Sequence, residues 1–343
     1  MKALVKTASG YDQMELREID EPEVYGDRVK IKVAYTGICG SDIHTFKGEY
    51  NNANTPVVLG HEFSGEVVAV GPDVKSIKVG DRVTSETTFQ TCGTCPYCLK
   101  KGYNLCGNRK GIGTQINGSM AEFVLSREES CHVLHDNISY KSAALTEPLA
   151  CCVHAALEKT TISPTDIVLI FGPGPIGLLL AQVVKSQGAT VIMAGITRDL
   201  PRLELAVELG VDRIIDLQKE DLTSLVLSMT NNIGVDRIFD CSGVISAVNQ
   251  GLPLIRKKGD FVQVGLFAKK TNELDEESII QREINYIGSR SQKPSSWITS
   301  LDLLAKHKIN TEKMITKIFD LCDWRTAFDK VMEGTEIKVL IKS

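Results

Sequence analysis

Two groups of residues in this chain have the types and spacing that metal chemistry needs. The stretch TCGTCPYCLKKGYNLC carries Cys92, Cys95, Cys98 and Cys106 at the spacing C-x2-C-x2-C-x7-C, four of the ten cysteines. Four thiolates on one compact loop form a closed tetrahedral shell for zinc, with no position left for a substrate. Such a site braces a loop and does no catalysis. An iron–sulfur cluster shares part of the spacing, but nothing else in the chain points to electron transfer. The second group is dispersed. GICGSDIH offers Cys39, Ser41, Asp42 and His44, VLGHEFSGEV offers His61 and Glu62, and LTEPLACCVHA offers Glu147. One thiolate, one imidazole and one or two carboxylates leave room for water or a substrate oxygen, as a catalytic metal requires.

A third constellation suits a dinucleotide. GPGPIG places Gly172, Gly174, Pro175, Ile176 and Gly177 between the apolar run DIVLIF and the helical pattern LLLAQVV. The first glycine makes the tight turn, the second lets backbone approach a pyrophosphate, and the third permits close helix–strand packing. The pyrophosphate would lie at the helix N-terminus. Folds that take NAD usually place an acid at the end of the next strand, on the ribose hydroxyls. Here TVIMAG ends in Ala194 and Gly195, and Thr197 and Arg198 follow. A guanidinium offers fixed, charge-assisted donors to a 2′-phosphate, so the expectation is NADP, with NAD accepted alongside it. The alternative is that Arg198 flanks the adenine or lies in solvent.

These groups need elements to position them. Up to about residue 150 the chain reads as short strands broken by Gly, Pro and Asp, among them RVKIKVAYTGICG, SGEVVAVGPDV, VGDRVT and MAEFVLS. After residue 160, strand and helix patterns alternate through DIVLIF, TVIMAG, RLELAVELG, VDRIIDL, VDRIFDCSG and GDFVQVGLF. That alternation predicts an α/β fold with a doubly wound parallel sheet. EIKVLIKS closes the chain on strand again. The expected organisation is a discontinuous β-rich domain over 1–150 and 286–343, holding the metal sites, around a Rossmann domain over 151–285.

A chain of 343 residues accommodates two such cores. With 43% hydrophobic and 24% charged residues and a net charge of −4, it has the composition of a globular protein. No basic block recommends nucleic acid or an anionic membrane as partner. MKALVKTASG is too polar for a signal peptide, and no run approaches the roughly 20 apolar residues of a membrane span. The cytoplasm is therefore the default expectation, and ten cysteines are expected as metal ligands or buried thiols, not disulfides.

GICGSDIHTFKGEY, VVLGHEFSGEVVAVG, VGDRV, the four-cysteine lobe and GPGPIG occur in the order seen in the zinc-dependent medium-chain alcohol and polyol dehydrogenases, and the resemblance covers essentially the whole chain. It implies a GroES-like catalytic domain beside the Rossmann domain. It implies Cys39 and His61 as the first two catalytic metal ligands, with Glu62 able to join them. Glu147 falls where alcohol dehydrogenases of the family place a second cysteine. Exchanging a thiolate for a carboxylate hardens the site, so Mn2+ becomes a candidate beside Zn2+. Asp42 matches the residue that orients the ligand histidine, and Ser41 and His44 match a proton relay from substrate hydroxyl towards solvent.

The implied activity is NAD(P)-dependent oxidation of a small-molecule polyol phosphate to a ketose phosphate. An unphosphorylated polyol and threonine are the alternative substrates, and a non-catalytic NADPH-binding protein is disfavoured by the complete ligand set. Arg290, in IGSRSQKP, matches a substrate-facing position, with Arg109 and Lys110 as weaker candidates for a phosphate, and Phe46 is a candidate pocket wall or core residue. A homo-oligomer, dimer or tetramer, is implied as well. His132, His135, His154 and His307 lack ligand spacing. Cys131, Cys151, Cys152, Cys241 and Cys322 read as small packing groups, although Cys151 and Cys152 follow Glu147 closely.

Overall fold

The computed structural model describes residues 1–49 and 53–343; Tyr50, which ends GICGSDIHTFKGEY, lies outside them. The chain forms two compact units. One comprises Met1–Ala150, Gln292–His307 and Thr311–Ser343; the other comprises Cys151–Ser291 with Lys308–Asn310.

The first unit is built on antiparallel strands. Arg28–Gly37 lies centrally, pairing with Glu62–Val70 on one side and with Phe123–Arg127 and Lys338–Lys342 elsewhere along its length. Its alternating RVKIKV pattern sends Val29, Ile31 and Val33 inward, where they meet Phe63, Val67, Val83 and Val124. Alternation of this kind marks a sheet with one face on the core. Among the described residues the one parallel pairing in this sheet is between Ile315–Asp320 and the C-terminal strand Lys338–Lys342. A smaller antiparallel sheet of Met14–Glu18, Lys2–Lys6 and Val57–Val58 packs with the helices Gly40–Phe46 and Trp324–Glu333 around a second apolar cluster. Phe46 belongs to that cluster.

The second unit is a six-stranded parallel sheet in the spatial order Arg213–Asp216, Thr190–Gly195, Ile167–Phe171, Val235–Asp240, Ile255–Gln263, Asn285–Gly288. The strand IVLIF is almost wholly apolar because helices cover both faces of a parallel sheet. The edge strand Asn285–Gly288, which no pattern had singled out, pairs with Ile255–Gln263 and carries this unit past residue 285 to Ser291. The helix Pro175–Ser186 begins with Gly174 as N-cap and Pro at the first position, where its missing N–H costs nothing. Among the described residues no helix is long and apolar enough to cross a membrane.

Candidate functional site: two metal-ligating clusters and a nucleotide crevice

The four-cysteine lobe folds as two short 3-10 turns, Cys98–Lys100 and Tyr103–Leu105. Turn geometry brings all four sulfurs within 4.8 Å of one another. The separations Cys95–Cys98, Cys92–Cys106 and Cys92–Cys98 are 3.5, 3.7 and 3.9 Å. A regular tetrahedron around zinc at the usual Zn–S length of about 2.3 Å has edges of about 3.8 Å. The sulfurs therefore stand at zinc-ligand spacing and far beyond disulfide length. Backbone N–H groups of Thr94 and Cys95 donate to Cys92 and lower its thiol to about 6. Burial pushes Cys98 the other way, to about 11. Tyr103 buttresses the lobe by donating to Glu129 at 2.5 Å, and the Arg127 guanidinium lies 4.7 Å from its ring centre.

In the second cluster, ligand atoms of Cys39, His61 and Glu62 lie within 4.8 Å of one another. Cys39 is the N-cap of the helix Gly40–Phe46, and Asp42 is the third residue into it. That spacing lets one Asp42 oxygen accept the Cys39 amide N–H at 2.9 Å while the other faces His61 Nδ1 at 3.7 Å. At 3.7 Å the two stand just beyond hydrogen-bond length, with the carboxylate on the Nδ1 side of the ring. Gly60, at φ +91°, makes the bend before His61, and a side chain there would press on Met120 and Ser119. Burial raises the Asp42 carboxyl. Burial opposes protonation of His61, but the charges of Asp42, Cys39 and Glu147 outweigh it and raise the imidazole well above its usual value. The surroundings thus attract a cation, which fits a divalent metal held by thiolate, imidazole and carboxylate.

Glu147 stands outside that trio. It is 8% exposed and accepts from Gln292 Nε2 at 3.1 Å. Burial first, and then the charge of Glu62, push it up to about 7, while His61 and Lys338 pull the other way. Glu62 in turn is ion-paired with Lys338, both fully enclosed at 2% and 3% side-chain exposure. Lys338 also donates to the Ile38 carbonyl at 3.0 Å. Burial alone would lower this ammonium, but Glu62 and Cys39 hold it above its ordinary value. Gly37 makes room for the pair, because a Cβ there would overlap Glu62 and Lys338.

Ser41 and His44 lie on the same short helix. Ser41 is half-buried, whereas His44 is exposed, with Nδ1 2.7 Å from Glu49. Phe46 is 1% exposed, with its ring between Tyr11 and Phe328, so its aromatic surface serves the core and not a pocket. Arg109 binds the hydroxyls of Thr87 and Thr88 at 2.6 and 3.0 Å, a structural engagement, and Lys110 is exposed on the two-residue strand beside it. Arg290 is exposed and follows the strand Asn285–Gly288 in the second unit. Cys152 is buried, and its thiol donates to the Ile176 carbonyl at 3.3 Å. His132 makes a 3.0 Å contact with buried Glu86 and stacks on Trp297.

The glycine turn opens onto a cavity of about 340 Å3. Gly172, Gly174, Ala194, Gly195, Arg198 and Asp199 are among the residues of its wall. A Cβ on Gly177 would overlap the Gly172 carbonyl, the close helix–strand approach expected of the third glycine. Arg198 is 84% exposed in its side chain and 4.0 Å from Asp199. The Thr197 hydroxyl donates to Asp216 at 2.7 Å. Two residues that sequence reasoning passed over also line this crevice: Arg202, one helical turn beyond Arg198, and Asp199, an acid displaced a few residues from the strand end. Their signal was the i, i+4 arginine spacing and the sequence TRD itself.

Comparison with known proteins places these clusters in context. Residues 26–136 match the alcohol dehydrogenase GroES-like domain, and residues 175–306 match the zinc-binding dehydrogenase domain. The chain is 62% identical over 343 residues to D-arabitol-phosphate dehydrogenase of Enterococcus avium, an alignment spanning 100% of this chain and 97% of that protein. It belongs to the zinc-dependent medium-chain dehydrogenases. As a member of that family it is an oxidoreductase acting on CH–OH groups. A second relative, the sorbitol dehydrogenase of Halalkalibacterium halodurans, is 50% identical over 341 residues, 99% of each chain. Among solved structures, a zinc-binding dehydrogenase assigned in Sinorhizobium meliloti, bound to NADP, superposes with a TM-score of 0.92 at 32% identity, covering 100% of this chain and 99% of that one.

Proposed function

We propose that this dehydrogenase oxidises a polyol phosphate to a ketose phosphate with NAD(P), D-arabitol 1-phosphate to D-xylulose 5-phosphate being the first candidate. D-arabitol 5-phosphate to D-ribulose 5-phosphate is the second. The observation that carries the reading is the 62% full-length identity to an enzyme named for D-arabitol phosphate, in a chain that keeps the Cys39–His61–Glu62 cluster together.

In this reading Cys39 and His61 hold the catalytic cation, with Glu62 or Glu147 as its carboxylate, and the four-cysteine lobe holds a structural zinc. A divalent cation supplies Lewis-acid stabilisation of charge on the alcohol oxygen, and NAD(P) accepts the hydride. The chain's own residues do the positioning. Asp42, facing Nδ1, favours the His61 tautomer that leaves Nε2 to the cation. Lys338 balances Glu62, and the Gln292 amide restrains Glu147. Ser41 and His44 carry the hydroxyl proton outward, His44 being exposed where it can release it to solvent. The ligand set mixes soft sulfur with hard oxygen, so Zn2+ and Mn2+ are both candidates.

The dinucleotide lies along Gly172, Gly174, Pro175, Ile176 and Gly177. Thr197 and Arg198 flank its ribose end. Arg198 and Arg202 suit a 2′-phosphate, and Asp199 suits free ribose hydroxyls, so either cofactor is accepted. Arg290 is the proposed anchor for the substrate phosphate. The test is incubation with D-arabitol 1-phosphate and with D-arabitol 5-phosphate, each with NAD and with NADP, and the product identified by mass spectrometry. A ketose phosphate formed together with reduced cofactor supports the proposal, and no turnover of either D-arabitol phosphate refutes it. The 50% identity to a sorbitol dehydrogenase favours free polyol as the second reading.

A further inference from the structure

Asp240 ends the strand Val235–Asp240 and is fully buried, yet it is not on the wall of the nucleotide crevice. Its two side-chain oxygens accept four donors. One takes the Ser242 amide at 3.0 Å and the Ser242 hydroxyl at 2.5 Å; the other takes the Gly243 amide at 3.0 Å and Gln263 Nε2 at 2.5 Å. Four donors use the full acceptor inventory of a carboxylate. The Ser242 hydroxyl passes the restraint on by accepting the Val244 amide at 3.2 Å. The backbone carbonyl of Asp240 also accepts the amides of Val264 and Gly265, at 3.0 and 2.8 Å.

The segment held in this way forms one side of the crevice: Cys241, Ser242 and Val244 line it, and Ser242 backbone lies 3.0 Å from where a Gly172 side chain would be. Gly243, at φ +66°, stacks backbone to backbone against Gly265 and Leu266. Gln263 is fixed in turn. Its Nε2 donates also to the Gly265 carbonyl at 2.7 Å, and its Oε1 accepts the Tyr286 hydroxyl at 2.9 Å. Tyr286 is stacked on Phe261 at 5.2 Å. Polarity therefore runs one way from Tyr286 through Gln263 to Asp240, and the amide cannot flip without setting oxygen against carboxylate.

We propose that Asp240, Gln263 and Tyr286 are positioning residues that set dinucleotide affinity by holding residues 241–244 in place, without themselves touching the cofactor. This rests on the reading of the glycine-turn crevice as the dinucleotide site. A group that only stabilised the sheet would change the melting temperature and leave cofactor affinity alone.

The experiment measures NAD and NADP dissociation constants by calorimetry, melting temperature and kcat at saturating cofactor for Asp240→Asn, Gln263→Glu, their double variant and Tyr286→Phe. Asp240→Asn and Gln263→Glu are each expected to weaken both cofactors roughly 10- to 100-fold, the span set by losing hydrogen bonds to a charged group. Tyr286→Phe should weaken them about threefold, at the low end for a neutral bond. Saturated kcat should fall far less than affinity. The double variant restores an amide–carboxylate pair between positions 240 and 263, so its loss should be smaller than the product of the single losses. Unchanged dissociation constants in the folded single variants, or strictly multiplicative losses, overturn the proposal. Should the two charge-altering variants not fold, Tyr286→Phe decides alone, an unchanged affinity overturning it. Gly177→Val separates the two claims: if it leaves cofactor binding intact, the crevice has been misread, whereas if it abolishes binding while Tyr286→Phe has no effect, only the positioning role falls.

Discussion

Lys338→Met is the most informative single change to the metal-ligating unit. The side chains are similar in length, so the apolar stem is kept and the ammonium is lost. In the native protein that ammonium meets Glu62 and the Ile38 carbonyl in a space where both charged side chains are no more than 3% exposed. Removing one member of a buried pair leaves an uncompensated charge and costs about 3–5 kcal/mol. For a unit of this size each kcal/mol moves Tm by about 2–4 °C, so the expected drop is about 10 °C. The assay is thermal unfolding followed by circular dichroism, on chelator-treated protein so that metal binding does not mask the effect. Glu62→Gln combined with Lys338→Met should recover most of the loss, because the stranded carboxylate is gone. A Tm within about 2 °C of the parent for Lys338→Met, well under the shift that the buried-pair cost implies, would refute the argument.

Four further outcomes are expected. Cys98→Ser should lose one equivalent of metal and lower Tm, whereas Cys39→Ser should abolish turnover with the lobe metal retained; elemental analysis beside activity separates them. Arg198→Ala should reduce kcat/KM with NADP by about tenfold, the size of a lost charge-assisted contact, and leave NAD nearly unaffected. Gly177→Val should abolish cofactor binding, since its side chain would meet the Gly172 carbonyl. Asp216 supplies a pH test. The Thr197 hydroxyl, the Gln218 amide and Lys219 hold its carboxyl below the ordinary value, so its stabilising contribution is present above the unfolded pKa and is lost as pH falls through the lower, folded one. Asp216→Asn should therefore melt below the parent at pH 7, with the gap narrowing progressively as pH falls below the unfolded value; a gap that widens in acid contradicts this.

What was legible in the sequence was mostly what is local in the chain. The four lobe cysteines fall within one short stretch, so spacing alone fixes their geometry. The glycine turn is likewise a contiguous strand–turn–helix signal, and Cys39 with Asp42 is the opening of a single helix. Long-range partners left no such trace. Lys338 reaches a carbonyl 300 residues earlier in the chain, and Gln292 reaches Glu147 across 145; each reads locally as an ordinary polar residue. Phe46 shows the reverse difficulty, since an aromatic within a functional motif fits a pocket or a core equally well until its neighbours Tyr11 and Phe328 are known. Asp199 was hidden because the acid expected at the strand end sits on the following turn.

The central claim, that a phosphorylated polyol is the substrate, is tested most directly by comparing kcat/KM for D-arabitol 1-phosphate and free D-arabitol with each cofactor. A preference of about 100-fold or more for the ester, roughly 2.7 kcal/mol of transition-state binding, is the predicted result. Equal efficiencies on the two would contradict the claim and leave a dehydrogenase of unphosphorylated polyols.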